Sequence, residues 1–523
     1  MEGVILRKKS RFWAEKLGKS PDFRGQIHRK SPDFERKNSE KVPIIWFLRN
    51  IKVSLQHPTN RYIAMLYRKF ANQIESFLRQ HPNKILLVNG ARQIGKSYLI
   101  RYVGKKLFKN YIEINLKSDQ EGKQLFAKVT TTEDFYLLLG AIAGDKLDTK
   151  QNTLVFLDEI QCYPHLMTML KFLNQEGRYT YIASGSQLGI ALAQTASVPL
   201  GSITVEEMYP LDFEEFLLAM DCSQETIDSV RQKLLNRETL SESLHNYLLQ
   251  QFKLYLLVGG LPEAVKQFKE SRNIAQVRTI QKDIYHLYRI DASQYDEEKK
   301  LVIRKVYDLI PSNMENKKKR IVVRNIEETK GHKQFSDYAA EFEYLTNSGI
   351  ALPVHAISNP KFPLLESESK NLLKLYLNDV GLLTYLLYDR NIQAVMGDEN
   401  SVNLGAVYES VVAQELHAHG FALHYYDNKQ RGEVDFLTDD YDHLSVLPIE
   451  VKSGKDYKTH SALDNFLHTP DYHIDRAVVL SNNQTIYEEQ GVSYLPIYYT
   501  LCLQRNTADP DSLIIPEVSL KIE

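Results

Sequence analysis

The chain alternates between short runs of consecutive apolar residues and longer segments in which apolar residues recur three or four positions apart. Runs of the first kind, at 84–88, 153–157 and 180–183, predict buried strands. Segments of the second kind, at 98–107 and 244–257, predict helices. Strands that alternate with helices in this way predict an α/β fold for the first part of the chain.

The pattern changes further along the chain. Residues 211–325 have few β-rich runs, so they predict a mostly helical region. Residues 326–400 predict two helices and then a β-wing around 350–364, an arrangement similar to a winged helix. After that, a helical pattern at 404–420 precedes two runs typical of strands, which predicts a second α/β unit.

Length and composition predict several folded domains. The 523 residues are 43% apolar, and about 150 residues per domain gives three or four domains. The three cysteines, Cys162, Cys222 and Cys502, are far apart and form no CxxC pair, which disfavours a disulfide framework or a four-thiolate metal site and favours a reducing cytoplasm. No apolar stretch approaches the ~20 residues that cross a bilayer, and no signal peptide is evident, so we expect no membrane association.

The near balance of 65 Lys and Arg against 66 Asp and Glu hides an asymmetry. Residues 1–64 hold 15 basic and 6 acidic residues and repeat the pentapeptide Lys-Ser-Pro-Asp-Phe, at 19–23 and 30–34. One interpretation is a basic arm that contacts nucleic acid phosphates. The interpretation that we favour is a disordered extension, added by a start codon placed too early, because Met65 precedes the first segment with a domain-like pattern.

A complete phosphate-loop motif follows the first predicted strand. It satisfies GxxxxGK[ST], and a helical pattern begins directly after it, so strand, loop and helix occur in the expected order. The glycines let backbone N–H groups surround a phosphate at the positive end of the helix dipole. We expect Lys96 to bind the β- and γ-phosphates of ATP and Ser97 to ligate Mg²⁺. The nucleotide-binding residues are Gly90, Ala91, Arg92, Gln93, Ile94, Gly95, Lys96 and Ser97.

Two later strands end in polar residues. The strand at 153–157 leads into Asp158, which we predict to hold Mg²⁺ through water, and Glu159, which we predict to polarise the attacking water. The strand at 180–183 leads into Ser-Gly-Ser-Gln, in which Ser186 or Gln187 would sense the γ-phosphate.

This order of motifs resembles the AAA-type ATPases of prokaryotes. Gly-Ala-Arg-Gln at 90–93, Tyr-Pro-Leu-Asp-Phe-Glu-Glu-Phe at 209–216 and Val-Gly-Gly-Leu-Pro-Glu-Ala at 258–264 look like one branch, whose members carry a C-terminal domain of unknown function. The resemblance covers about residues 65–505 and extends to Ile-Pro-Ser at 310–312 and to the Leu-Tyr-Leu-Asn-Asp segment that begins at 375. It implies Mg²⁺-dependent ATP hydrolysis.

The chain departs from this branch at one position. Many members carry an Arg or Lys after the glycine at the position of Gly201, where this chain has Ser202. A transition-state arginine from a neighbouring subunit is therefore in doubt there. Arg178 and Arg289 are both candidates to replace it, and the oligomeric state stays open.

A second chemical site is predicted near the C-terminus. Glu409 falls at the margin of the apolar arc of the predicted helix, Asp435 lies on the next strand, and Glu450 and Lys452 lie on the one after. Residues two apart on a strand point to the same face, so Glu450 and Lys452 are neighbours. If the strands pair, Asp435 and Glu450 converge on one divalent ion and Lys452 orients or deprotonates a water.

This constellation resembles the PD-(D/E)xK nuclease fold of restriction endonucleases and Holliday-junction resolvases. The competing interpretation is a hairpin with cross-strand ion pairs. The basic run 316–320 is a further candidate contact for DNA phosphates, with a solvated charge run as the alternative.

The predicted architecture is therefore a P-loop AAA-type ATPase core with a helical lid, a winged-helix-like module and a restriction-endonuclease-like α/β domain, with DNA as the macromolecular partner. The alternative is an ATP-gated scaffold whose last domain is catalytically inactive. The predicted divisions are an extension at 1–64, the ATPase core at 65–210, the lid at 211–325, the winged-helix-like module at 326–400, the nuclease-like domain at 401–505 and a tail at 506–523.

Overall fold

The computed structural model describes residues 66–505, except for 82, 187, 189–200, 293–298, 316–318, 327–333, 398–403, 429, 431 and 455. The predicted extension at 1–64, the tail at 506–523 and Gln187 lie outside the described residues. No helix of the described part is both long and apolar enough to cross a membrane.

The first sheet contains five parallel strands in the order β2-β3-β4-β1-β5. The strands are β1 (Ile85–Asn89), β2 (Asn110–Asn115), β3 (Thr153–Asp158), β4 (Thr180–Ser184) and β5 (Ile203–Glu207). The helices of this region are α1 (Lys69–Gln80), α2 (Lys96–Leu107), α3 (Leu116–Glu121), α4 (Thr132–Ala143) and α5 (Pro164–Glu176).

Both faces of this sheet are covered. Ile85 and Leu87 of β1 belong to one hydrophobic cluster, whereas Leu86 and Val88 belong to another. Alternate residues of a strand point to opposite faces, so an uninterrupted apolar run is what a strand buried on both sides requires.

The middle of the chain is helical, as the periodicity predicted. The described part of 211–325 contains six α-helices and no strand. They are α6 (Phe213–Ala219), α7 (Gln224–Leu235), α8 (Glu242–Val258), α9 (Pro262–Ser271), α10 (Ile274–Ala292) and α11 (Lys300–Glu315).

A second sheet of eight strands follows, in the order β12-β13-β11-β10-β9-β8-β6-β7. Its strands are β6 (Ala351–Ile357), β7 (Glu368–Leu377), β8 (His424–Asn428), β9 (Gly432–Asp440), β10 (Ser445–Lys452), β11 (Ala477–Ser481), β12 (Tyr487–Glu489) and β13 (Val492–Pro496). The accompanying helices are α12 (Ala339–Asn347), α13 (Val380–Tyr388), α14 (Gln393–Met396), α15 (Gly405–Ala418) and α16 (Ser461–Leu467).

This second sheet spans two of the predicted divisions. β6 forms an antiparallel pair with β7, and it also pairs in parallel with β8. Within the predicted wing, 350–364, only β6 is a strand; its hairpin partner β7 starts at residue 368. The strands of the 326–400 region are therefore continuous with the sheet of the 401–505 region.

Two buried carboxyl groups join the helical region to the second half of the chain. Asp379 caps α13 and accepts the backbone N–H of Gly260 at 2.6 Å and that of Leu382 at 3.1 Å. Glu415 of α15 accepts the backbone N–H of Phe213 at 3.0 Å. Burial raises the pKa of Asp379 to about 6, and these N–H donors act in the opposite direction.

We expect Gly259→Ala to destabilise the fold more than Gly144→Ala, by at least about 2 kcal/mol. Both glycines have positive φ, +74° and +54°, with ψ of −170° and −131°, a combination that other residues rarely adopt, so both substitutions carry a backbone cost of roughly 1–3 kcal/mol. A Cβ at 259 would lie 2.1 Å from Asp379 Oδ1, whereas a Cβ at 144 meets no described atom within 4 Å. Urea unfolding measures both, and equal losses would contradict the predicted clash.

Candidate functional site

The phosphate loop lies between β1 and α2. Gly90 and Gly95 have φ of +141° and +94°, values that side chains rarely adopt. A Cβ at Gly90 would also lie 2.3 Å from the carbonyl oxygen of Met208, so the loop needs glycine there. Helix α2 begins at Lys96, and its free N–H groups face the loop.

Lys96 is buried, and its ammonium lies across the loop. Nζ donates to the carbonyl oxygens of Gly90 and Ala91, each at 2.7 Å. Burial lowers the pKa of Lys96 to about 8, against the opposing influence of Glu159 and Asp158. Added negative charge in the cavity would raise that pKa again.

Asp158 ends β3 and collects hydroxyl donors from two neighbouring segments. Ser97 Oγ lies 3.0 and 2.9 Å from its two oxygens, and Ser184 Oγ donates at 2.5 Å. Asn115 Nδ2 donates at 3.2 Å. Burial raises the pKa of Asp158, and the Ser184 and Ser97 hydrogen bonds oppose the rise.

Glu159 has a left-handed backbone conformation, with φ of 58°. Gln161 Nε2 donates to Glu159 Oε2 at 2.5 Å and reaches Ser186 Oγ at 3.4 Å. The predicted γ-phosphate sensor Ser186 therefore shares a partner with the predicted general base. Sequence reasoning missed Gln161 and Ser184, although Ser184 stands directly opposite Asp158 in the strand register.

Lys96, Ser97 and Glu159 border one cavity of about 490 Å³. Helices α9 and α10 form its wall together with the phosphate loop. The lining residues are Arg92, Gln93, Gly95, Lys96, Ser97, Tyr98, Lys117, Glu159, Pro262, Glu263 and Leu287. Its donor set suits a nucleotide with Mg²⁺, because hydroxyl and carboxylate oxygens are the ligands this ion prefers and Ser97 and Asp158 supply both.

Neither replacement candidate for the transition-state arginine lines this cavity. Arg178 lies over the ring of Tyr136, and Arg289 pairs with Asp308 at 2.6 Å. The arginine that does line the cavity is Arg92.

The predicted acidic cluster of the C-terminal region lies where α15 packs on β10, the strand that pairs with β9. The two strands are antiparallel, and the pair Phe436 and Ile449 puts Asp435 and Glu450 at the next position. Asp435 Oδ2 accepts the backbone N–H of Val451 at 2.9 Å. Lys452 Nζ donates to Glu450 Oε1 at 2.8 Å.

Burial raises the pKa values of two of these acids. That of Glu450 rises to about 8 and that of Glu409 to about 7, and in both cases the charge of Asp435 adds to the effect. The structure therefore brings Glu409, Asp435, Glu450 and Lys452 into mutual electrostatic range. Glu450 Oε2 is buried without a hydrogen-bond partner among the described residues. The oxygens of Asp435 and Glu450 suit a divalent cation, although no set of three or more metal-ligating side chains occurs in the described part.

Two lysines that sequence reasoning did not assign to this site enter the cluster. Lys319 forms an ion pair with Glu409, and the fully buried Lys374 forms one with Glu433. Lys374 interrupts the apolar run Leu-Leu-Lys-Leu-Tyr of β7, which was the signal available in the sequence. Arg320 lies 3.5 Å from Asp427. Lys319 and Arg320 of the basic run thus have acidic partners, and residues 316–318 lie outside the described part.

Comparison with known families agrees with the first site. Residues 82–217 match the family described as an AAA domain. This part of the chain is an AAA-type P-loop domain. Residues 249–409 and 404–500 match two further families, each described as a domain of unknown function.

One similar protein is an uncharacterised protein of Methanocaldococcus jannaschii, 24% identical over 365 residues, which are 68% of this chain and 72% of that protein. A Walker-type ATPase of Pyrococcus abyssi aligns with 63% of this chain and 98% of its own, at 14% identity and a TM-score of 0.39. The ORC2 protein of Aeropyrum pernix aligns with 66% and 98%, at 14% identity and a TM-score of 0.34.

Replacing Glu450 by glutamine should stabilise the folded protein more at about pH 8 than at about pH 5. Unfolding returns this carboxyl from a pKa of about 8 to 4.5. Ionisation therefore disfavours the folded state increasingly as the pH rises between these values, and fully above the upper one.

Urea unfolding in EDTA at both pH values measures the difference. The control is Glu489→Gln, which changes an exposed carboxyl on β12 and should have little effect at either pH. A Glu450→Gln effect that does not depend on pH would contradict the expectation.

Proposed function

We propose that the AAA-type domain binds ATP with Mg²⁺ and hydrolyses it. The observation that carries this proposal is the convergence of Lys96, Ser97 and Glu159 on one cavity, with Asp158 bonded to Ser97. Bound Mg²⁺ would neutralise charge between the β- and γ-phosphates.

The protein's own groups have separate roles in this proposal. Lys96 leaves the loop carbonyls and binds the β- and γ-phosphates. Glu159 accepts a hydrogen bond from the attacking water, and Gln161 holds the Glu159 carboxylate in position. Ser186, which Gln161 also reaches, senses the γ-phosphate.

Lys96→Ala should abolish detectable ATP turnover. Glu159→Gln should lower kcat by about 100-fold or more while retaining nucleotide binding, since only the carboxylate that handles the water changes. A coupled phosphate-release assay and a fluorescent ATP analogue measure the two effects. The matched control is Lys105→Ala, on the same helix but outside the cavity. Unchanged turnover in both site variants would refute the assignment.

We also propose that the protein acts on DNA through a nuclease-like C-terminal region. The proximity of Glu409, Asp435, Glu450 and Lys452, together with the unpaired buried oxygen of Glu450, supports metal-assisted cleavage of a phosphodiester. In this reaction Asp435 and Glu450 would hold the divalent ion. Lys452 would orient the water as an ammonium, because the charges of Glu450 and Asp435 outweigh the effect of burial and raise its pKa.

One observation favours the second candidate, a scaffold that is gated by ATP and does not cut. Lys319 already provides a cation for Glu409, and Lys452 provides one for Glu450. Charge that is balanced within the protein reduces the need for a metal ion. In this alternative, the C-terminal region recognises a nucleic acid or a protein without catalysis.

A cleavage assay separates the two candidates. Full-length protein with Mg²⁺ or Mn²⁺ is tested on duplex, junction and single-stranded DNA, beside Asp435→Ala and Lys452→Ala. Nuclease function predicts cleavage that each variant lowers at least about 100-fold. The control Asp442→Ala changes a residue in the β9–β10 turn and should cleave normally. Absence of metal-dependent cleavage by the wild type on every substrate would leave the scaffold.

A cytoplasmic location remains part of the proposal. It rests on the cysteines, which are three separate thiols in the structure.

A further inference from the structure

Arg92 is the third residue of the phosphate loop, and its side chain lines the nucleotide cavity beside Lys96 and Glu159. The side chain is 19% exposed, so it is accessible from the cavity although most of it is covered. The guanidinium carries a permanent charge and offers a planar set of donors that matches two phosphate oxygens at once.

The present partner of this guanidinium is a carboxylate from the helical region. Arg92 Nη1 donates to Asp291 Oδ1, near the end of α10. Asp291 is buried, and burial raises its pKa, against the opposing charges of Arg92 and Lys117. Glu159 and Lys96 also act on Asp291, so this carboxylate lies beside the catalytic end of the cavity.

The backbone on both sides of the ion pair is held by tyrosine hydroxyls. Tyr288 of α10 donates to the carbonyl oxygen of Arg92 at 2.8 Å. Tyr344 of α12 donates to the carbonyl oxygen of Asp291 at 2.7 Å. The side chains of Arg92 and Asp291 can therefore exchange partners while the two backbone segments keep their positions.

A bound nucleotide changes the balance of charge around this pair. The cations on the cavity wall are Arg92, Lys96 and Lys117. Asp291 competes with any bound phosphate for Arg92. A nucleoside triphosphate carries one phosphoryl group more than a diphosphate, at the end nearest Glu159, the proposed base. That additional group can compete with Asp291 for the guanidinium, because arginine binds phosphate in the same bidentate way as it binds carboxylate.

We propose that Arg92 exchanges Asp291 for the terminal phosphate of a bound nucleoside triphosphate. The ion pair is then broken when a triphosphate is bound and kept when a diphosphate is bound. The release of Asp291 thereby changes the contacts of α10, the helix to which it belongs. Arg92 contacts the substrate directly, whereas Asp291 is a positioning residue that acts through Arg92. The proposal rests on the proposed nucleotide site, and its test does not require hydrolysis.

The experiment compares the affinities of the full chain for a non-hydrolysable ATP analogue and for ADP. We expect Arg92→Ala to lower the affinity for the analogue by about 10- to 100-fold, which corresponds to the loss of a charge-assisted hydrogen bond. The affinity for ADP should change by no more than about 2-fold. Arg92→Lys keeps the charge without the planar set of donors, so its affinity for the analogue should lie between those of the wild type and Arg92→Ala. Asp291→Asn removes the charge that competes with phosphate for Arg92, so it should raise the affinity for the analogue several-fold.

The matched control is Arg101→Ala. This arginine lies on α2 and pairs with Glu113 at 2.5 Å, outside the cavity, so both affinities should stay at wild-type values. Thermal unfolding of every variant separates a loss of binding from a loss of folding.

Two results would overturn the proposal. Equal weakening of both nucleotides by Arg92→Ala would show that the side chain does not select the terminal phosphate. Weaker binding of the analogue by Asp291→Asn would show that the ion pair is a static support. A wild type that binds the analogue without turning ATP over would instead refute the proposed hydrolysis, and the affinity ratio would still test Arg92.

Discussion

Parallel pairing of β1, β3 and β4 is the constraint on which the nucleotide site depends. In this arrangement the carboxyl ends of the strands meet at one edge, so the phosphate loop, Asp158 and Ser184 come together although they are far apart in sequence. Register matters as much as direction. A shift of one residue between β3 and β4 would turn Ser184 to the opposite face and leave Asp158 without its shortest hydrogen bond.

The C-terminal cluster depends on antiparallel rather than parallel strand pairing. Antiparallel pairing of β9 and β10 sets Asp435 beside Glu450, and α15 supplies Glu409. The low polarity of this packed region makes ionisation of the acids costly, which is why the lysines matter there. At the nucleotide site, Asp158 is hydrogen-bonded by serine hydroxyls, and the cavity wall carries the cations Arg92, Lys96 and Lys117, so that site retains capacity for a large anion.

Contiguous motifs were predictable, and contacts between distant segments were not. Gly90 to Ser97 and Asp158 to Glu159 could be assigned because strand, loop and helix follow one another directly in the sequence. Lys319 could not, because its partner Glu409 is 90 residues away and the local pattern indicated only a charge run. The wing predicted at 350–364 contains β6, but its hairpin partner β7 lies beyond that range. The pairing of β6 with β8 could not be predicted, because a strand's second neighbour leaves no local periodicity. Arg92 was expected only as one of the eight loop residues, and its pairing with Asp291 depends on the packing of α10.

The shared second sheet also bears on how the chain can be divided. A fragment that began at residue 401 would contain β8 to β13 but would lose β6, and the backbone donors and acceptors along one side of β8 would be exposed. Exposed strand edges of this kind pair with other chains, so the fragment would tend to aggregate. A fragment that ended at residue 400 would leave β6 with the same defect on the opposite side. The two families of unknown function that meet near residues 404–409 thus divide in sequence a structure that is continuous in its hydrogen bonding.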